Sequence, residues 1–446
     1  MNTLNREQRK AVESDNTVVC VIAGAGTGKT KTLIQKVNSL IHEKKIPDHQ
    51  ILVLTFSRKA AEEIMERISH QSSNIECNIT SGTFHSFSLR LLRTYCHDQM
   101  LQLGFTAFPG IISDDLKTEY IRSEIRKYKE RFCGLPVSMI ESMLFSEKRL
   151  SAHINRKLQN AGISKALSII RENYSDYKKD NNLIDYEDMI MFANIILEQY
   201  AEIRNILHAT YKYILIDEFQ DTSENNMRLI KNIMPSTGSS LFVVGDDWQS
   251  IYAFRNAQVD YIINLKKYFH GASTITLHRN YRSRQEIVSL SNKFIKHNRI
   301  RTSKSLTSVK GHGGIIKSYS CSTRETECQI ISEIVNNYAD DNTAILYRNN
   351  WQGHYLADYI SKHSGEDTAR KLSFMTIHAS KGLEFNTVII TGISDKIFPD
   401  PSSDIEEERR LLYVALTRAR ESLHIIHFLH KDNRVSKFAK ELRITR

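Results

Sequence analysis

No two of the six cysteines (Cys20, Cys77, Cys96, Cys133, Cys321, Cys328) stand in a CxxC pair. Scattered in this way, they argue against a disulfide framework and against a zinc site, and reduced intracellular thiols are the expectation. No apolar run approaches the ~20 residues that span a bilayer. The opening residues, MNTLNREQRK, are too polar for a signal peptide. A cytoplasmic protein with no membrane partner is therefore expected. There is no internal repeat of fixed short period, no low-complexity tract and no nuclease motif, so any cutting activity would come from another chain.

What is present is ordinary for a globular chain: 446 residues, 41% hydrophobic and 25% charged, long enough for two to four domains with sizeable cores. The 61 basic residues outnumber the 51 acidic ones, for a formal charge of +10. That suits a polyanion partner, although charge alone fits a solvated cationic face equally well.

The informative stretch is TVVCVIAGAGTGKTK, residues 17–31. Five apolar residues, Val18 to Ile22, predict a buried strand, and Leu33, Ile34, Val37, Leu40 and Ile41 predict a helix. Between them lie Ala23, Gly24, Ala25, Gly26, Thr27, Gly28, Lys29, Thr30 and Lys31. Strand, small-residue loop, Lys-Thr and helix together describe a phosphate cradle. Backbone N–H groups of such a loop face the phosphates, Lys29 adds a point charge, and the Thr30 hydroxyl is placed to ligand Mg²⁺. Ala23 stands where the strict spacing has its first Gly. A Gly-rich loop alone is often only a turn, but the strand and GKT in register argue for a nucleoside triphosphate.

A helix is expected at Leu4–Val12, a second strand at Ile51–Phe56 with a helix at Lys59–Ile68, and a third unit from Ser81 to Arg93. This alternation argues a doubly wound parallel sheet. Residues 94–199 change character: charged, helix-favouring segments dominate, among them EKRLSAHINRKLQNAG, with no convincing strand. Strands return at Tyr213–Ile216 and Leu241–Val244. A further alternation at Ser273–Leu277, Gly314–Tyr319, Thr343–Tyr347, Ser373–Ile377, Thr387–Thr391 and Leu423–Ile426 predicts a second α/β domain. Arg301–Gly314 is the most loop-like stretch, and it is basic.

Two later segments carry chemistry. ILIDEFQD ends a buried strand in carboxylates: Asp217 is placed to hold Mg²⁺ and Glu218 to polarise the attacking water. A solvated acidic turn is the bland alternative. In LFVVGDDWQSIYAFRNA, Gln249 is a candidate γ-phosphate sensor, while Tyr252, Phe254 and Arg255 combine rings and charge suited to unpaired bases. Taken alone, Tyr252 and Phe254 read more readily as core. Arg282 in RNYRS and Arg418 in VALTRAR are candidate cations for the γ-phosphate.

With these motifs in order, and with GDDWQ, FMTIHASKG and YVALTRAR, the chain resembles superfamily 1 DNA helicases of the Rep/UvrD/PcrA type, most similar to the motor core of DNA helicase IV. In that family a leading Ala in the cradle is usual. The resemblance implies two RecA-like α/β domains, the first at 1–93 and 205–272 around a helical insertion at 94–204, the second at 273–446. It also implies that Gln8 reads the adenine edge, Tyr281 stacks on the adenine and Glu384 contacts the nucleotide sugar. Gln249, Arg282 and Arg418 would be the γ-phosphate contacts, and Phe56, His85, Tyr252, Phe254, Arg255 and His378 would line the strand channel. Lys31 replaces an Arg often found after GKT, and Phe254 replaces a common Trp. The family's large insertion in the second domain has no room between Arg348 and Phe374.

The resemblance implies ATP and Mg²⁺ as cofactors, single-stranded DNA as partner with single-strand/duplex junctions as an extension, and 3′→5′ movement. Two other readings stay open: a motor subunit that depends on a nuclease or a repair or defence factor, and a DNA-binding module switched by ATP.

Overall fold

In the computed structural model, the described residues are 4–71, 78–132, 134–145, 162–235, 238–338, 342–429 and 435–443. The expected helical stretch EKRLSAHINRKLQNAG lies outside them except for its last residue, as do Cys77 and Cys133. Two parallel sheets organise the chain. The first contains β1 (Val18–Ala23), β2 (Ile51–Thr55), β3 (Thr80–Thr83), β6 (Tyr213–Ile216), β7 (Ser240–Gly245) and β8 (Ser273–Leu277), in the order β3-β2-β6-β7-β1-β8. Every residue of β1 is buried, and its side chains alternate between two cores. Val18, Cys20 and Ile22 join the larger core, whereas Val19, Val21 and Ala23 join the core on the other face. A strand covered on both faces needs an unbroken apolar run, which is why VVCVIA is so readable.

The second sheet contains β11 (Ile315–Cys321), β12 (Thr343–Tyr347), β13 (Leu372–Thr376), β14 (Phe385–Ile393) and β15 (Ala419–Phe428), in the order β11-β15-β14-β12-β13. It too is parallel throughout. Val388, Ile390, Leu423 and Ile425 pack on one face, and Ile389 and Ile426 on the other. Between β12 and β13 the chain holds only the helices Asn350–Ser364 and Glu366–Lys371, so no large insertion stands there. Two short parallel pairs complete the strands: β4 (Gly110–Ile111) with β5 (Leu183–Ile184), and β9 (Arg279–Asn280) with β10 (Thr307–Ser308).

Three expectations are corrected. The strand Ser273–Leu277, expected to open the second domain, is β8 and pairs with β1, from Val19↔Ser273 to Ala23↔Leu277. Its alternation is that of any strand, and sheet membership is decided by long-range pairing. The region 94–199, expected to be without strands, contains β4 and β5. Its helices also divide: Tyr186–Gln199 and Ala201–Thr210 place Met189, Ile196, Ile203 and Leu207 in the first sheet's core. A separate helical core gathers Ile112, Ile121, Phe132, Ile163 and Ile170, so the independent packing unit is narrower than 94–204.

Arg301–Gly314 is indeed irregular apart from β10, but it is pinned. Lys304 is fully buried and its Nζ lies 2.6 Å from Oδ1 of both Asp246 and Asp247 at the end of β7. Thr302 donates its N–H to Asp247 Oδ2 and its hydroxyl to Oδ1, each at 2.6 Å. Leu306 then fills the space over Gly24, where an added Cβ would meet Leu306 Cδ1 at 2.4 Å. Removing one partner of a buried ion pair strands the other charge at a cost of about 3–5 kcal/mol. Lys304→Met should therefore lower unfolding free energy by about that amount, read from urea titrations at pH 7. A loss under 1 kcal/mol would mean the carboxylates are otherwise compensated.

Candidate functional site

The cradle sits at the carboxyl end of β1, where parallel strands leave an open crevice. Gly28, at φ +84°, turns the chain into helix Lys29–Asn38, and Gly26, at φ +68°, shapes the loop before it. Thr27 braces the loop through its hydroxyl, which donates to the Gly24 carbonyl at 2.9 Å. The loop's other carbonyls are also taken. Gln8 Nε2 donates to Thr27 O at 3.0 Å, Asn280 Nδ2 to Ala25 O at 2.7 Å, and the Tyr281 N–H to Gly26 O at 2.8 Å. The Thr27 N–H also turns inward, to the Gly24 carbonyl at 3.3 Å; loop N–H groups not used within the loop suit an anion.

A cleft of about 870 Å³ between the two sheets is lined by Gly26, Gly28, Lys29, Thr30 and Lys31 on one side and by Arg282, Glu384 and Arg418 on the other. Gln8, Ala25, Asp217, Glu218, Gln249 and Tyr281 complete the predicted set on its wall. Ala23, Gly24 and Thr27 do not line it; Ala23 closes β1, and the other two are buried in the loop's own packing. The Gln8 side chain is doubly engaged, since its Oε1 also accepts from the Asn5 N–H at 3.0 Å. It buttresses the cradle. Tyr281 is 42% exposed, and its hydroxyl accepts from Asn5 Nδ2.

Lys29 Nζ lies 3.2 Å from Glu218 Oε1, and the Thr30 hydroxyl lies 3.2 Å from Asp217 Oδ2. Burial, then the neighbouring Glu218 charge, pushes the Asp217 carboxyl upward. Burial pushes Glu218 upward as well, but the Lys29 and Lys381 charges overcome it and hold Glu218 low and ionised. Glu218 also adopts φ +52°, the left-handed region that side chains other than Gly rarely enter. Thr30 and Asp217 are two hard oxygen donors side by side, which fits a Mg²⁺ that keeps most of its waters. Among the described residues no cluster of three or more His, Cys, Asp or Glu offers a denser metal site.

Arg418 is 1% exposed and tied down at every nitrogen. Nε donates to Val414 O and Nη1 to Leu383 O, both at 3.0 Å, and Nη2 reaches Gln249 Oε1 at 3.3 Å. Gln249 Nε2 in turn donates to Asp246 Oδ2 at 2.6 Å. Arg282 Nε lies 2.5 Å from Glu384 Oε2, and Arg420 pairs with the other oxygen of Glu384.

Of the strand-channel candidates, four come together. The Phe254 ring stands 5.8 Å from both Tyr252 and His378, and the Arg255 guanidinium lies 5.5 Å from the Tyr252 ring and 5.6 Å from Phe254. Phe254 is 48% exposed, so the core alternative does not hold for it. Phe56 and His85 stand apart: Phe56 packs on Phe84 at 5.1 Å and His85 against Tyr186 at 5.9 Å. Burial lowers the His85 pKa, with Glu187 opposing the fall and Arg255 adding to it.

The model of the UvrD/REP helicase N-terminal domain matches residues 4–270, and that of the UvrD-like helicase C-terminal domain matches 275–368 and 360–430. The chain belongs to the UvrD/Rep family of helicases. It is thereby an enzyme of the ATP-hydrolysing, superfamily 1 DNA helicase class. A probable DNA helicase of Mycoplasma pneumoniae is 30% identical over 447 aligned residues, covering 96% of this chain and 83% of that protein. A probable DNA helicase II homolog of Rickettsia conorii is 33% identical, covering 79% of this chain and 54% of its own length. The ATP-dependent DNA helicase PcrA of Staphylococcus aureus is 30% identical, covering 81% and 50%. The chain thus spans about half the length of the helicase II and PcrA relatives. No helix among its described residues is long and apolar enough to cross a membrane.

In this UvrD-type chain, sequence reasoning missed Lys381. Its Nζ lies 2.5 Å from Asp221 Oδ2, 3.2 Å from Gln249 O, 4.0 Å from Glu218 Oε2 and 4.6 Å from the Tyr252 ring centre. The signal was its place three residues after His378 in HASKG, but a buried lysine cannot be told from a surface one in a turn. His378 is half-buried; burial first, then Arg348, Lys381 and Arg255, lowers its pKa to about 4. The ring is therefore neutral between about pH 6 and 8 in the free chain. His378→Gln should change oligonucleotide affinity by the same factor at pH 6 and pH 8, measured by fluorescence anisotropy at fixed ionic strength. A factor that grows toward pH 6 would mean a charged ring.

Proposed function

We propose that this chain is an ATP-driven translocase on single-stranded DNA, moving 3′→5′ and separating strands at single-strand/duplex junctions. One observation carries the reading: Arg418 of the second sheet, with Arg282 on the segment that joins the two sheets, lines the same cleft as Lys29 and Glu218 of the first. Closure of that cleft would set both guanidiniums against the γ-phosphate, and hydrolysis would release them. Mg²⁺, when bound, supplies charge neutralisation of the phosphates. Thr30 and Asp217 would hold it, and Lys29 would leave Glu218 for the phosphate. Losing that cation removes one of the two charges that hold Glu218 down, so the carboxylate becomes more basic as the substrate seats. Lys381 touches Asp221, Gln249 and the Tyr252 ring, and so would connect the strand-binding rings to the hydrolytic carboxylate.

A second reading has an observation of its own. The segment between β12 and β13 holds two helices and no more, so duplex opening would depend on a partner such as a nuclease or a repair or defence factor. An ATP-switched DNA-binding module is the weakest reading, because a binder has no need of Glu218 beside Lys29.

Arg418→Ala should still bind ATP and lose on the order of 10³-fold in turnover, the usual size of a lost arginine finger. Near-normal DNA-stimulated turnover in that variant would sink the assignment. In the natural protein, single-stranded DNA should stimulate hydrolysis strongly, with the effect fading as salt rises. Strand displacement by the purified chain alone then separates the two motor readings: unwinding favours autonomy, and stimulated hydrolysis without unwinding favours the partner.

A further inference from the structure

Because the second sheet is parallel, the segments leaving β11, β12 and β13 all start on one edge. Ile377 donates its N–H to the Tyr347 carbonyl at 2.9 Å. His378 therefore stands beside Arg348, the residue after β12. Three residues on, Trp351 lies in the first turn of helix Asn350–Ser364 with 41% of its surface exposed. Arg324, which opens the helix after β11, sets its guanidinium 4.6 Å from the Trp351 ring centre and 5.5 Å from that of Tyr355. The Trp351 and Tyr355 rings are 5.9 Å apart and 29° from parallel. Tyr355 also packs against the core on that face of the sheet, whereas Trp351 is not part of it. The indole thus has a fixed support and no core to fill. A half-exposed ring held by a second ring and a guanidinium is the composition of a base-stacking site.

We propose that Trp351, supported by Tyr355 and Arg324, is an additional stacking site for an unpaired nucleic-acid base, continuing the strand path beyond Phe254 and His378. This rests on the translocase reading. A single strand fits better than a protein segment for two reasons. The edge runs from His378 through Arg348 to Trp351 without leaving consecutive loops of one sheet. The guanidinium against the indole is also a phosphate contact of the kind that fixes a strand's register. Arg348 is held by Glu408 at 3.1 Å, so Arg324 is the cation that serves the strand.

The chain offers its own reporter. It has two tryptophans, and Trp248 is fully buried. Tryptophan emission should fall as oligo-dT is added, and Trp351→Phe should abolish the fall while keeping affinity within about threefold. Trp351→Ala should weaken oligo-dT binding about 5- to 150-fold, the equivalent of one stacked base, and shorten the occupied site by one nucleotide. Its ATP turnover at saturating DNA should stay within about twofold, since Trp351 lies outside the nucleotide cleft. If the natural protein binds oligo-dT by anisotropy while its emission and the affinity of Trp351→Ala are unchanged, the proposal is overturned, and the face belongs to a protein partner. If the natural protein binds no oligo-dT at all, the translocase reading falls with it, and the anisotropy distinguishes the two failures.

Discussion

The two halves of this chain meet the phosphate cradle at a glycine. A Cβ on Gly26 would lie 2.6 Å from Arg282 Cβ and 3.0 Å from Asn280 Nδ2, so no other residue fits without moving the segment that carries the arginine. The contact is made on the loop's carbonyls: the Tyr281 backbone N–H donates to Gly26 O, and the Asn280 side-chain amide donates to Ala25 O. Such short polar bonds fix distance closely, because a lengthened hydrogen bond in a buried setting leaves an unpaired group. β8 is what makes this possible. By pairing with β1 it brings the chain back along the cradle strand, and the next residues pass over the loop before entering the second domain. The candidate finger Arg282 is thereby positioned by the first sheet, whereas Arg418 is positioned by the second.

That asymmetry gives the two arginines different freedom. Arg418 is buried, with Nε and Nη1 held by the Val414 and Leu383 carbonyls of its own domain and Nη2 reaching Gln249 across the cleft, so its position follows the second domain. Arg282 shares Glu384 with Arg420, and those partners are partly exposed, where an ion pair contributes little. Near Glu218 the balance is different. Lys29 and Lys381 approach it from opposite domains, and in a desolvated site each carboxylate needs a cation. Moving either lysine would therefore change the charge state of the other groups.

Sequence alone made the buried strands and the cradle legible because local pattern determines them: an apolar run such as VVCVIA, then small residues, then Lys-Thr. It also placed Lys29, Asp217, Glu218, Gln249, Arg282 and Arg418 in one site through family resemblance, and all six line one cleft. It could not say which sheet Ser273–Leu277 joins, since the same alternation serves either. Nor could it see that Tyr186–Gln199 buries its apolar face on the first sheet while Ile163–Asp180 packs elsewhere. Both are outcomes of long-range packing with no local signature. Lys304 and Lys381 were invisible for a related reason: a lysine is read as solvated by default, and only the carboxylates of Asp246, Asp247 and Asp221 make it otherwise.

The rings proposed for strand binding and the cleft between the sheets lie on the same carboxyl edges of the sheets, and that follows from topology. In a parallel sheet every strand points its carboxyl end the same way, so loops that carry function accumulate on one side. Lys29 follows β1, Phe56 follows β2, Glu218 follows β6, Gln249 follows β7, and His378 follows β13. On the translocase reading, fuel site and track would thus lie within reach of the same rigid strands, without a long lever. Lys381 shows how short the path is: one buried ammonium contacts Asp221 and the Tyr252 ring together. On that reading, a shift of Tyr252 by a stacked base would perturb a buried ion pair directly. Because that pair is desolvated, the perturbation is not screened by salt as surface contacts are. DNA binding through Arg255 should thus be salt-sensitive, while the step from bound base to Glu218 is not.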